Sequence, residues 1–230
     1  MTKERKFAYL ALFLTSFLWG LAPPVIKYSL KFVTPVSFLF YRFTLAGLIF
    51  AVPLIYKTIK TKPSVYEVGQ YLLLGFLSTP LNLLFYFWGI NKTSAIDASV
   101  LAILSPIMIV LGGIFFLREK VTKKESTGIV IAVIGTIILI LAPYFGQKVS
   151  FLSNLTGVLF IIAGDIVWAA FTLLAKRIKN QHLDPFIISA FSFVVGWFVL
   201  LPLFLTEKVS GFDTRALPGI IYMAVFSSVV

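Results

Sequence analysis

Long apolar stretches, rather than alternation of apolar and polar positions, dominate this chain. Runs without a single charge cover 7–26, 68–91, 98–117, 126–147 and 185–206. Each is close to or beyond the ~20 residues that a helix rising 1.5 Å per residue needs to cross a ~30 Å hydrocarbon layer. Two further runs, 35–56 and 149–175, hold one internal charge each, Arg42 and Asp165, and are counted as spans as well. The last stretch, 216–230, is 15 residues long, too short to cross, and is expected to be an eighth helix cut short. The first run is longer than a signal-peptide core and lacks a small-x-small cleavage site, so it reads as a retained first helix.

Composition agrees with this pattern. Of 230 residues 59% are apolar and 13% charged, against roughly 25% charged in a soluble domain, so the expected fold class is an all-α polytopic membrane protein. No cysteine is present, which excludes disulfides, thiolate metal sites and cysteine nucleophiles. The single histidine, His182, lies in a polar loop.

The net charge of +11 changes the picture only once its distribution is read. Thirteen basic residues fall before the first span or after the second, fourth and sixth (Lys3, Arg5, Lys6; Lys57, Lys60, Lys62; Arg118, Lys120, Lys123, Lys124; Lys176, Arg177, Lys179). The alternate loops hold six: Lys27, Lys31, Lys92, Lys148, Lys208 and Arg215. Basic residues mark the cytoplasmic side, so the N-terminus is expected there, in a multi-pass plasma-membrane protein. The basicity is read as an orientation signal with attraction to anionic membrane lipid, not as a nucleic-acid surface.

The chain also repeats itself. "FLWGLAPPVIK" (17–27) and "IVWAAFTLLAK" (166–176) share Trp and Lys at an offset of 149 residues. One inserted residue then makes the offset 150, which aligns Pro35 with Pro185, Phe43 with Phe193, and "GQYLLLGFLS" (69–78) with "GIIYMAVFSS" (219–228). A nearly constant offset through three consecutive spans indicates duplication. Five spans make one unit, and five is odd, so the second copy enters the membrane from the opposite face. The predicted organisation is a first five-helix repeat over 7–142 and a second, incomplete repeat over 155–230, holding helices 6, 7 and part of 8. Inverted repeats are an architecture of alternating-access carriers, which hold solute near the midplane between the halves.

"LWGLAPPVIKYSL", "FYRFTLAGLI" and "SPIMIVLGGIFFLREKVTKKESTGIVIAVIG" (105–135), taken with the repeat spacing, resemble the EamA branch of the drug/metabolite transporter superfamily. The resemblance implies ten helices in two inverted halves around a central cavity. It also implies movement of a small metabolite, such as an amino acid or a related polar or aromatic solute, mostly outward. It leaves the substrate open.

Arg42 and Asp165 are the charges deep in spans, each costing roughly 2.5–3.5 kcal/mol at a helix centre on insertion scales. They lie about 10 and 15 Å into their helices at 1.5 Å per residue, depths that allow a pair across the repeat interface. The alternatives are a purely structural ion pair, an Arg held by carbonyls, or two groups that face the cavity and meet substrate or a coupled proton. Trp168 follows Asp165 by three and shares its helical face, as an aromatic wall for an ammonium or planar solute. Trp19 and Trp168, both well inside their spans, and the helix-3 pair Asn82 and Tyr86, four apart, complete the candidate substrate-binding set. For these the alternative is packing or interhelical hydrogen bonding.

Pro23, Pro24, Pro80 and Pro106 are candidate joints or static kinks, and Pro202 reads as a kink. Gly128, Ala132 and Gly135 form a small-residue stripe expected to admit a neighbouring helix. Glu119 reads as a local, solvated charge pair with its neighbours Arg118 and Lys120. No metal cluster is suggested by the spacing of the nine acids and no phosphate loop is present, so neither an enzyme nor a cofactor is expected beyond proton coupling. A non-transporting scaffold, and less so a lipid-linked transferase, are the competing readings. The full-length protein is expected to be a monomer.

Overall fold

The structure, a computed structural model, describes residues 3–146, 151–178, 183–207 and 213–229. Its α-helices are α1 (Lys3–Ser29), α2 (Pro35–Thr61), α3 (Val65–Phe76), α4 (Asn82–Lys92), α5 (Ala95–Leu101), α6 (Leu104–Leu117), α7 (Lys123–Gly146), α8 (Phe151–Arg177), α9 (Pro185–Thr206) and α10 (Leu217–Val229). Six described segments are long and apolar enough to cross a membrane: Tyr9–Ser29, Pro35–Thr61, Val65–Lys92, Ala95–Leu117, Leu155–Arg177 and Pro185–Thr206. The chain is an all-helical polytopic membrane protein. Helix α7 lies over the fifth predicted span, and α10 over the short final stretch. Residues 147–150 and His182 lie outside the described residues.

Helix starts follow from local chemistry. The Thr34 and Asp184 side chains accept from the backbone N–H of Ser37 and Phe186, and each precedes a proline at the first helical position, where a missing amide costs nothing. Ser64 with Glu67 and Ser94 with Asp97 form reciprocal capping boxes on α3 and α5.

Two predicted spans are broken, both beside a proline. Between α3 and α4 the backbone widens into a π turn over Leu77–Leu81 that contains the buried Pro80, because proline supplies no amide and the ladder must re-register around it. Between α5 and α6, just ahead of Pro106, the amides of Ile103 and Ser105 donate to Val100 and Ala102, three residues back. Pro23 and Pro24, by contrast, leave α1 continuous from Lys3 to Ser29.

Helices α2 and α9, equivalent at the 150-residue offset, pack antiparallel. Near the start of α2, Glu207, just past α9, accepts from the hydroxyls of Thr34 and Ser37. At the far end of α2, Lys57 Nζ lies 2.7 Å from Asp184 Oδ2, at the start of α9. Their middle is aromatic: Phe50 stacks on Phe193 at 5.5 Å between centroids, Phe43 meets Phe193 at 6.1 Å, and a Cβ at Gly196 would fall 2.7 Å from the Phe43 ring. The flanking contacts exchange under the same offset. Helix α3 packs on α9, and α10, its equivalent, packs on α2. Equivalent helices running in opposite directions are what an inverted repeat requires.

Helices α4 and α8 cross with their backbones close together. A Cβ added at Gly89 would stand 2.8 Å from the Gly157 carbonyl oxygen, and one at Gly164 would stand 3.2 Å from that of Asn82. The stripe predicted for close approach is corrected here: a Cβ at Gly128 or Gly135 of α7 would meet nothing within 4 Å. Spacing alone marks a smooth helix face, and whether another helix uses it depends on the tertiary arrangement.

Candidate functional site

The close α4–α8 crossing and the break ahead of Pro106 bring three helices to one carboxylate. Asp165, on α8, is 6% exposed. Its Oδ1 accepts a hydrogen bond from Ser105 Oγ, in the first turn of α6, at 2.5 Å. Its Oδ2 is buried without a hydrogen-bond partner among the described residues. Tyr86, on α4, lies near enough to interact electrostatically with Asp165. One turn earlier on α4, Asn82 Nδ2 donates to the Gly164 carbonyl at 2.8 Å, anchoring α4 to the backbone beside Asp165.

Trp168 stands one turn along α8, half-buried, with its ring 5.1 Å from that of Phe171. Asn82, Tyr86 and Asp165 thus meet at one junction, and Trp168 lies one turn along α8 from it with Phe171 as its ring neighbour. Trp19 stands on α1 with 54% of its surface exposed.

Arg42 belongs to a different contact. It is 5% exposed, and its Nη2 donates to Ser228 Oγ on α10 at 3.3 Å. Nε and Nη1 are buried without a partner among the described residues. The Arg42–Asp165 pair that their depths allow is not formed among the described residues. Similar depth along two helices does not bring two side chains together, and here each charge meets a serine that its own neighbouring helix supplies. Those two serines, Ser105 and Ser228, were missed by the sequence reading; the one available signal was that Ser228 closes the matched segment 219–228.

The helix ends carry the remaining polar contacts. Glu119 Oε1 pairs with Lys176 Nζ at 2.5 Å, tying the end of α6 to α8, in place of the local pair expected with Arg118 and Lys120. The Glu119 carboxylate folds back over Gly113, where a Cβ would stand 2.6 Å from Oε2. Lys27, the equivalent of Lys176, instead donates to the carbonyls of Ile90 and Asn91 at 2.9 Å each, the usual role of a cation at a helix C-terminus. The hydrogen bond from Lys57 holds the Asp184 carboxyl below its ordinary range, helped by the Phe186 amide. Tyr71 Oη also accepts from the Asp184 amide at 3.0 Å. No group of three or more potential metal ligands occurs among the described residues.

An all-helical bundle with an antiparallel pair of equivalent helices, and with isolated polar groups buried in its spans, defines an integral membrane protein of the inverted-repeat kind. The EamA-like transporter family matches residues 6–141 and 155–230, and the chain belongs to that family. An uncharacterized transporter of Archaeoglobus fulgidus is 28% identical over 223 residues, covering 96% of this chain and 76% of the relative. The uncharacterized transporter YyaM of Bacillus subtilis is 27% identical, covering 89% of this chain and 68% of YyaM. A protein of known crystal structure shares the fold with a TM-score of 0.67 at 17% identity, covering 94% of this chain and 75% of that one.

Proposed function

We propose that the protein is a secondary carrier that moves a small polar or aromatic metabolite, such as an amino acid, outward across the plasma membrane. It works by alternating access between inverted repeats spanning 7–142 and 155–230, with the N-terminus in the cytoplasm. The observation that carries the reading is Asp165: a carboxylate sealed among three helices, with one oxygen on Ser105 and the other without a partner. An ionisable group inside a membrane span is expensive to keep and marks a solute or proton path. Tyr86, Asn82 and Trp168 supply a hydroxyl, an amide and an aromatic face around it, the mix of apolar walls and few polar groups that small-molecule sites use. Trp19 and Arg42 belong to the same path on the α1 and α2 side. Asp165 exchanges a proton as the solute passes, and no other cofactor takes part.

The test is counterflow of a labelled metabolite panel by the full-length protein in liposomes at two pH values. Wild type is expected to move at least one solute with a rate that depends on pH, and Asp165→Asn to fold normally and lose that dependence. Equal pH dependence in the Asp165→Asn protein would remove the proton from the mechanism. Absence of counterflow for every solute would favour the scaffold reading.

A further inference from the structure

We infer that Arg42 is the receptor for an anionic oxygen group, a carboxylate or a phosphate, and that the solute or lipid occupying this part of the protein carries one. The inference rests on the reading of the buried polar residues as a solute path and adds the charge of what travels along it.

Arg42 is 5% exposed. Its Nη2 donates to Ser228 Oγ at 3.3 Å, while Nε and Nη1 are sealed from solvent with no acceptor among the described residues. Ser228 adds no charge, and its own hydroxyl donates to the Met223 carbonyl at 2.9 Å. Helix α2, which carries Arg42, packs on α4, α9 and α10, and none of these four helices contains an aspartate or glutamate. Ion pairs among the described residues involve Lys57, Lys176 and Arg215, not Arg42.

Arg42 and Asp165 thus face the same difficulty with different remedies. A carboxylate that lacks a counter-charge can take up a proton and become neutral. A guanidinium keeps its proton in a protein, so its buried charge is relieved only by acceptors brought to it, and an anionic acceptor relieves it most. Its planar set of donors matches carboxylate and phosphate oxygens better than any other side chain does. Both partnerless nitrogens are closed off from solvent, so an anion meets them when α10 draws away from α2, a motion of the kind a rocking carrier makes. The repeat gives no second copy of the site: the position equivalent to Arg42 is Ser192.

The experiment is thermal unfolding of the full chain in detergent, at constant ionic strength, with benzoate, with its neutral counterpart benzamide, and with phosphatidylglycerol against phosphatidylcholine. A ligand that binds only the folded state raises the midpoint, and at a fixed concentration the rise grows with the logarithm of its affinity. Benzoate or phosphatidylglycerol is expected to stabilise wild type, with the neutral counterpart about tenfold weaker or more, and Arg42→Gln is expected to lose that difference. A response to benzoate assigns the site to a soluble anion, and a response to phosphatidylglycerol alone assigns it to a lipid phosphate. Should Arg42→Gln not fold, Arg42→Lys and Ser228→Ala take its place, each expected to weaken the anion effect. Equal stabilisation by benzoate and benzamide, no effect from either anion, or an anion effect that survives the Arg42 substitution overturns the inference. Loss of benzoate counterflow with the stabilisation intact would instead overturn the solute-path reading and leave the anion site standing.

Discussion

Lys57 and Glu207 occupy equivalent positions 150 residues apart, and each closes on the residue that caps the other's helix. Lys57 pairs with Asp184, the cap of α9, at 2.7 Å. Glu207 accepts from Thr34, the cap of α2. The antiparallel α2–α9 pair is therefore fastened once at each end by related contacts of unlike chemistry, an ion pair at one end and a carboxylate on two hydroxyls at the other.

The ion-paired end is acid-sensitive. The Asp184 carboxyl is held below its ordinary value, first by the hydrogen bond from Lys57. A carboxylate with a depressed folded value contributes stability that is fully present above the unfolded value, near 3.9, and is lost as pH falls through the folded one. Thermal unfolding in detergent should therefore show a loss below about pH 4 that is smaller in Asp184→Asn. Asp184→Ala should cost ~0.5–2 kcal/mol at neutral pH as a lost cap.

Small-residue contacts should be sharply local. Gly157→Leu places side-chain atoms where a Cβ alone already stands 3.0 Å from the Gly89 carbonyl. It is expected to cost about 1–3 kcal/mol or to prevent folding, read as loss of a monodisperse peak in size-exclusion chromatography. Gly128→Leu, whose Cβ meets nothing within 4 Å, should leave both peak and melting midpoint nearly unchanged.

Ser105 and Asp165 should behave as a unit. Ser105→Ala strips the carboxylate of its hydrogen bond, which is expected to cost ~1–3 kcal/mol. The double variant with Asp165→Asn should fall short of the sum of the singles by ~0.5–3 kcal/mol. Strict additivity in unfolding measurements would mean that the two groups do not interact in the membrane.

Sidedness is testable because the chain contains no cysteine. Single cysteines replacing Lys60 and Lys120 should react with an impermeant maleimide from the cytoplasmic face, and those replacing Lys31 and Lys92 from the opposite one. Labelling of Lys60→Cys and Lys31→Cys from the same face would end the topology proposed above.

The spans, the duplication and its inversion were readable because each is written over many residues: runs of about 20 apolar positions and an offset kept through three helices. The convergence of Asn82, Tyr86 and Asp165 was half-readable. Spacing put Asn82 and Tyr86 on one face of α4, and nothing local said that Asp165 would meet them. The partners of the buried charges were hidden for a physical reason. Ser105 and Ser228 are small, neutral and ordinary in an apolar helix, and their roles arise from contacts 60 and 186 residues away along the chain. The Gly89–Gly157 crossing was hidden likewise, since its two halves belong to different helices. Glu119 looked committed to Arg118 and Lys120 until α8 brought Lys176 to it.

Subtracting the offset from Asp165 lands on Ser16, and adding it to Arg42 lands on Ser192. The protein thus has a twofold scaffold with single-copy ionisable groups, and a guest held by either of them must sit to one side of the axis. For a carrier of the kind proposed, the inward-facing and outward-facing forms would offer a guest different groups, so symmetry does not oblige their energies to be equal.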